Sequence, residues 1–317
     1  MKKGLIKACA AVLLIGSVTL TGCQKKAEET TQVKVGTWKT AQTILPYFYD
    51  EFLDDSYEIE VAPFTNPGDQ KAALLAGELD MTGTTLVTAI SAAANDEPIK
   101  IVCSLCNKCS ALTVGKNSDI QTEADLKGKT IAYVPGTMHH ALLLDVLNRA
   151  GLDPEKDVEL IRIDFFDMGQ ALADGKIDAF CSGEPYPSEA VVKGYGRVLS
   201  YPYFDDSIST INAAMIVTED TIKEKPEVIQ DLVNAHLKAA DNLTQNQEKW
   251  FEKSYEFGTD KEIMEVSAEN IELCGEIDEE FIEHTRNLAE KMKELGIIAE
   301  VPDIEALFDL TFLENAE

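Results

Sequence analysis

Three thiols stand at intervals of three in Cys103-Ser104-Leu105-Cys106-Asn107-Lys108-Cys109-Ser110. Sulfur at that density suits three kinds of chemistry. One is a disulfide between Cys106 and Cys109, or one that involves Cys103. Another is capture of a soft metal such as Cu(I) or Zn, with His139 or Cys181 completing the set. The third is plain packing, because a free cysteine behaves as a small hydrophobe. On an unbroken strand Cys103 and Cys109 share one face and Cys106 takes the other, so one metal would need a break at Asn107-Lys108. A different chemistry is offered by Gly136-Thr137-Met138-His139, which opens a helix. Free N–H groups and the positive dipole end make such a start an anion site, with Thr137 as its N-cap. Trp38 and Tyr186 are candidates to stack a planar ligand or to fill core. Glu184, fixed by Pro185, suits a structural acid that accepts from loop amides. His139 and His140 fall on different sides of their helix. No Ser-His-Asp arrangement has usable spacing, Gly136-Thr137 is not a phosphate loop, and no cofactor motif is present, so the reading is a non-enzyme without a cofactor.

The elements that would position these residues alternate. Val33–Thr37 reads as a strand, 41–53 as a helix disturbed by Pro46, and 57–64 as a second strand. Asn66-Pro67-Gly68-Asp69 starts a helix that Gly77 ends, followed by a short strand over 79–82, a polar loop Thr82-Gly83-Thr84-Thr85 and a helix over 86–94. Strands over 99–105 and 112–114 flank the thiols. A second set follows: a short helix at 122–126, strands over 130–134, 158–163 and 177–181, and helices over 138–150, over 168–173 behind Asp167 as cap, and over 189–193. A late strand over 211–217 precedes a nearly all-helical tail with Pro226 in a first turn. Strands alternating with helices predict mostly parallel sheets covered on both faces. The expected fold is α/β, with two lobes in sequence and two chain crossings, near 109–114 and near 200–211, that act as a hinge. Residues 33–110 begin the first lobe, 111–205 form the second, and 206–317 return to the first as its last strand and a helical tail.

One internal similarity places a cleft. Leu74-Leu75-Ala76-Gly77-Glu78-Leu79-Asp80 matches Ala171-Leu172-Ala173-Asp174-Gly175-Lys176-Ile177-Asp178. Each is a helix end, a glycine suited to the left-handed C-cap, and an aspartate leading a strand. The stretches that follow, Thr82–Thr85 and Ser182–Tyr186, both carry glycine. Ligands of parallel sheets bind beyond the carboxyl ends of the strands, so two equivalent loops facing each other make one cleft.

The chain has 317 residues, 45% of them apolar, with a formal charge of −28. That length suffices for two lobes with real cores. The charge argues against nucleic acid or an anionic lipid surface as partner, since both demand basic patches. Beyond the leader and Cys23, five cysteines remain (Cys103, Cys106, Cys109, Cys181 and Cys274), an odd number that leaves at least one free thiol or a non-disulfide role.

At the N-terminus Lys2, Lys3 and Lys7 precede an apolar run from Ala8 to Leu20 that ends Leu20-Thr21-Gly22-Cys23. The run is short for a membrane span and carries the flanks of a secretion signal. The cysteine after small residues resembles the lipobox of bacterial lipoproteins. The resemblance implies a signal peptide over 1–22, a diacylglyceryl group on Cys23 and a polar tether over 23–32, with the mature protein lipid-anchored on the extracytoplasmic face of the cell membrane.

A second resemblance covers residues 33 to about 245. Asp178-Ala179-Phe180-Cys181-Ser182-Gly183-Glu184-Pro185-Tyr186 with Ala190-Val191 resembles the Gly-Glu-Pro segment of substrate-binding lipoproteins from ABC importers of the nitrate, sulfonate and taurine class. Pro135–His140 is similar to that family's Gly-Ser/Thr-x-His helix start. Gly68–Thr85 resembles its first ligand loop and Leu126–Ile131 its second-lobe entry. This implies a type II periplasmic-binding-protein fold, acting as a monomer, that closes on a small-molecule solute and delivers it to an ABC permease and its ATPase. Carried over by position, the ligand contacts are Trp38, Thr65, Asn66, Thr84, Thr85, Ser110, Thr137, Met138, His139, Glu184 and Tyr186. The solute is a sulfonate- or nitrate-like anion or a pyrimidine-like aromatic; no arginine stands in any contact loop, and only Lys39 and Lys108 are near. Cys103, Cys106 and Cys109 depart from the family's pattern and leave open a thiol-based metal-binding protein on the same fold. The same fold also serves pyrimidine-precursor synthases, which makes an enzyme the other alternative.

Overall fold

A computed structural model describes residues 30–316. The leader, Cys23 and the tether up to residue 29 lie outside the described residues.

The first half of the chain runs β1 (Thr31–Trp38), β2 (Tyr57–Phe64), α1 (Pro67–Leu75), β3 (Met81–Thr85), α2 (Leu86–Ala93), β4 (Ile99–Lys108), β5 (Ser110–Gly115), β6 (Thr130–Tyr133), α3 (Met138–Arg149), β7 (Glu159–Arg162), α4 (Phe165–Ala173), β8 (Ala179–Gly183), α5 (Tyr186–Val192) and β9 (Gly196–Ser200). Then come β10 (Ile211–Thr218), α6 (Glu219–Glu224), α7 (Pro226–Gln245), α8 (Gln247–Glu256), α9 (Lys261–Ser267), β11 (Ile271–Leu273) and α10 (Glu279–Glu294). Two sheets result, ordered β11-β4-β10-β3-β1-β2 and β7-β6-β8-β5-β9. They share one plan. Three parallel strands, β2-β1-β3 in one and β7-β6-β8 in the other, meet an antiparallel return strand, β10 or β5. No helix among the described residues is long and apolar enough to cross a membrane.

The sequence repeat explains why the plan recurs. Gly77 and Gly175 both take the left-handed conformation, φ +74° and +69°, and so end α1 and α4. The aspartate three residues on then ties two strands together. Asp80 accepts from the Lys34 backbone N–H at 2.8 Å and donates its own N–H to the Lys34 carbonyl at 2.9 Å. Asp178 does the same with Thr130, at 2.9 Å in each direction. The effect is to set the start of β3 against the middle of β1 and the start of β8 against β6, so that both pairs deliver their carboxyl ends to the same region.

The chain passes between sheets twice. Cys109 alone separates β4 from β5, and the segment between Ser200 and Ile211 brings the chain back. At the first crossing Lys108 and Cys109 hold φ +60° and +66°. Left-handed backbone costs an L-residue about 1–2 kcal/mol each, and the surrounding bonds hold it there. Cys109 N–H donates to the Asn270 carbonyl at 2.7 Å, its carbonyl accepts from Glu184 N–H at 2.8 Å, and the Asn212 amide donates to the Lys108 carbonyl at 2.7 Å.

Apolar clusters cover both faces of the first sheet. One joins Val33, Val35, Met81, Cys103, Cys106 and Cys109 to Ile229, Leu232 and Val233 of α7. The other joins Leu79, Leu86, Ile90 and Ile101 to Leu288 and Met292 of α10, and takes in Met138 and Leu142 of α3. The second sheet has its own clusters around Leu112, Ile131 and Leu147 and around Phe180, Met168 and Leu172.

Several expectations are corrected. Register shifts between β4 and β10 break the alternation, so Cys103 and Cys106 reach the same core and are not on opposite faces. The 41–53 helix is two 3-10 pieces, Ala41–Thr43 and Leu45–Glu51. Proline at the second and the Thr37, Thr40 and Thr43 hydroxyls at the first offer the backbone other partners. Thr82–Thr85 and Ser182-Gly183 are strand, not loop; in β3 the Thr82 hydroxyl donates to the Gly36 carbonyl at 3.0 Å and accepts from Gln70 at 2.7 Å, which lets polar residues pair deep in a sheet. Asp164, not Asp167, caps α4, α5 begins at Tyr186, and β1 begins at Thr31 inside the expected tether. Strands β9 and β11 have no clear sequence signal.

Asp178→Ala should lower unfolding stability by about 1–3 kcal/mol, the cost of stranding a buried N–H. A denaturant midpoint unchanged from wild type would show that the aspartate tie contributes nothing.

Candidate functional site

The carboxyl ends of β1 and β3 in one lobe face those of β6 and β8 in the other. Between them lies a narrow cavity, partly open to solvent. Trp38, at the end of β1, and the following 3-10 turn with Gln42 and Thr43 form one wall. Phe165 and Phe166 at the start of α4 and Tyr186 at the start of α5 form the opposite one. The aromatic wall is ordered: Phe165 and Tyr186 stack with interplanar angle 7° and centroids 6.2 Å apart, and His139 meets Phe165 edge-on at 5.6 Å.

Three helices begin at this cavity, each with a side-chain cap. Asn66 accepts from Asp69 N–H at 3.0 Å, Thr85 from Thr88 N–H at 3.2 Å and Thr137 from His140 N–H at 3.2 Å. Thr65, Thr85 and Thr137 line the cavity. The lobes touch across it. Thr88 donates to the Gly136 carbonyl at 2.9 Å, and a Cβ on Gly183 would lie 2.8 Å from His139 Nε2 and 3.3 Å from Gln42 Nε2. Only glycine lets β8 approach both residues this closely.

Of the sequence-derived contacts, Trp38, Thr65, Thr85, Thr137, His139 and Tyr186 lie on the cavity. The other five stand behind it. Asn66 spends its side chain on α1, Met138 is packed in the core between α3 and the first lobe, and Thr84 is buried in β3. Ser110 Oγ sits 2.9 Å from His139 Nδ1 and so orients that ring. Glu184 accepts from Ser188 N–H at 3.2 Å and from the Asn270 amide at 3.3 Å, beside the first crossing. Sequence reasoning missed Gln42, Thr40, Thr43, Phe165, Phe166 and Asn212. Phe165-Phe166 beside a capping aspartate was the one readable signal among them.

The electrostatics are distinctive. Among the described residues that line the cavity, none is lysine, arginine, aspartate or glutamate. Both nearby cations are engaged elsewhere: Lys39 Nζ lies 5.3 Å from the centroid of the Phe257 ring and Lys108 pairs with Glu272 at 3.1 Å. Burial pushes His139 down to about 4, so its imidazole is neutral at pH 7. Two buried polar groups on the wall lack a partner, the Trp38 indole N–H and the Gln42 carboxamide oxygen.

Cys106 and Cys109 also line the cavity. All five cysteines are free thiols, and no group of three or more His, Cys, Asp or Glu among the described residues is placed to hold a metal ion. Neither His139 nor Cys181 completes such a set with the thiols of β4.

The profile of the family described as NMT1/THI5 like matches residues 47–250. A putative aliphatic sulfonates-binding protein of Bacillus subtilis is 24% identical over 329 residues, covering 100% of this chain and 97% of its own length. One of Escherichia coli with the same description is 38% identical over 92 residues, 29% of this chain and only 28% of that relative. Among solved structures, the alkanesulfonate-binding protein of Xanthomonas axonopodis pv. citri bound to MOPS superposes with a TM-score of 0.79 at 19% identity, covering 89% of this chain and 99% of that one. An enzyme is also similar over part of its length: the 4-amino-5-hydroxymethyl-2-methylpyrimidine phosphate synthase of Schizosaccharomyces pombe is 29% identical over 146 residues, 44% of this chain and 41% of its own.

Burial raises Glu184 from 4.5 to about 7, against the pull of its Ser188 and Asn270 hydrogen bonds. A carboxyl whose folded pKa is raised stabilises the fold below about 4.5 and loses that contribution as pH rises through 7. Relative to Glu184→Gln, the wild type should therefore gain up to about 3 kcal/mol of stability between pH 8 and pH 4.5. His139, His140 and His236, lowered to about 4 by burial, work in the opposite sense and destabilise both proteins below pH 6.5. Parallel stability–pH curves for the two proteins in urea titrations would refute the Glu184 assignment.

Proposed function

The chain belongs to the NMT1/THI5-like family, and from that premise we propose that it is the solute-binding component of an ABC importer. The single observation that carries this reading is an aromatic-walled cavity between two similarly built lobes, at the carboxyl ends of their parallel strands. Closed lobes remove a small solute from water, and the outer face of the closed pair is what a permease and its ATPase would recognise. Cys23 carries the diacylglyceryl anchor in this reading, which holds the protein, as a monomer, outside the cytoplasmic membrane.

For the solute, an uncharged planar molecule with adjacent hydrogen-bond donor and acceptor is the best match. The Gln42 carboxamide can pair with such an edge through two parallel bonds, as glutamine does with adenine. Trp38 N–H supplies a further donor, and Phe165 and Tyr186 supply an apolar face. Aminopyrimidines and lactams have this character. A sulfonate is the second reading. The helix starts of α2 and α3 favour it, because their first-turn N–H groups and dipoles attract an oxyanion, and the relatives' descriptions point the same way. Catalysis receives less support: the cavity joins a neutral His139 to Ser110 but no carboxylate completes a general-base arrangement.

A thermal-shift panel tests this. At a concentration 100 times its dissociation constant a specific solute adds about 2.7 kcal/mol. Uncharged aminopyrimidines should raise the melting temperature, ethanesulfonate should not, and Gln42→Leu should abolish the shift. A shift with sulfonates alone would replace the first reading with the second, and turnover of any panel member would favour an enzyme.

A further inference from the structure

Two of the five thiols differ from the rest in where they stand. Cys103 and Cys181 are core residues, and Cys274 is partly exposed away from the cavity. Cys106 and Cys109 both line the solute space and belong to one core cluster, and the Cys109 side chain, together with burial, pushes the Cys106 thiol up. Between the two cysteines the strand ends, and Lys108 and Cys109 take left-handed backbone, φ +60° and +66°, at the crossing from β4 to β5. Strain of this kind persists where the surroundings over-determine it and clusters at functional sites. A third group completes the arrangement: the Asn212 amide, unusual in a cavity wall, donates to Cys109 Sγ at 3.4 Å.

We infer that Cys106 and Cys109 form a thiol modification site in the cavity wall, closed to a disulfide by a small molecular disulfide that enters the solute space. Cys109 is the entry point, because the Asn212 donor can hold the charge of its thiolate. Its sulfur attacks one sulfur of R–S–S–R, and R–S⁻ leaves and takes up the proton lost from Cys109. The Cys106 sulfur then attacks Cys109 Sγ of the mixed disulfide. The second R–S⁻ departs with the Cys106 proton. One protein S–S bond replaces that of the oxidant, two R–SH are released, and the two electrons lost by the protein are gained by the oxidant. The bridge would remove both thiol protons from the solute space and fix the residue at which the chain passes between lobes.

Lysine 108 makes the test direct, since trypsin cleaves between the two cysteines. The reduced full chain is treated with bis(2-hydroxyethyl) disulfide, a small uncharged disulfide, alkylated in denaturant and digested. The expected product is peptide 101–108 linked to peptide 109–116 through Cys106 and Cys109, with Cys103 alkylated and the link reversed by dithiothreitol. It should persist in Cys103→Ser and disappear in Cys106→Ser and Cys109→Ser. Should either of the last two fail to fold, wild type and Cys103→Ser still decide. Full alkylation of both peptides, a 2-hydroxyethylthio adduct left on Cys109 with Cys106 alkylated, or a link from Cys109 to Cys103 or Cys274 would each overturn the assignment.

Discussion

Burying an ion without a partner costs several kcal/mol even after the surroundings relax, and our proposal for the solute depends on that cost. Its wall offers indole, phenyl, phenol, hydroxyl, amide, thiol and a neutral imidazole, and none of the described residues on it is ionised. A charged solute would depend on helix dipoles and hydroxyls for all of its compensation. A neutral planar solute loses little on transfer and gains apolar contact on both flat faces. The unpartnered Trp38 N–H and Gln42 oxygen then become an asset, because each is satisfied only when the right edge is present. Selectivity of this kind comes from leaving buried polar groups waiting.

The fold makes that cavity by using one construction twice. Each lobe sets a helix, a left-handed glycine and an aspartate before its third parallel strand, and the aspartate binds a backbone amide of the neighbouring strand. Strand ends are thereby held level, and the residues just beyond them meet across the gap. The return strand β10 closes the first sheet and the tail adds α7 and α10 as its cover, so the long acidic C-terminal region earns its place through apolar stripes facing the sheet. Asn270, late in that region, reaches both crossings: its amide donates to the Ser110 carbonyl at 3.2 Å and its side-chain oxygen accepts from Tyr203. The two crossings and the tail are thereby tied together by hydrogen bonds.

Much of this was legible in the residues. Alternating strand and helix patterns, the glycine–aspartate repeat and the Gly-Glu-Pro segment were enough to read two α/β lobes around a cleft, and Trp38, Thr137, His139 and Tyr186 were readable as cleft residues. What stayed hidden had physical causes. Polar strands such as Thr82–Thr85 look like loops until their hydroxyls are seen to be paired by Gln70 and Gly36. Shifts of register in β4 undo the simple alternation on which the facing of the thiols was judged. Gln42 sits in a 3-10 turn pinned by Trp250 N–H donating to the Ala41 carbonyl at 2.8 Å, a contact 209 residues away in the chain that no local pattern announces.

The most direct measurement is the identity of the small molecule that leaves the protein when it is isolated from its native host and denatured without prior dialysis. Mass spectrometry of the released fraction should find an uncharged planar N-heteroaromatic compound in a one-to-one ratio with the chain. Release of a sulfonate, or of any permanently charged anion, would contradict the account at its foundation.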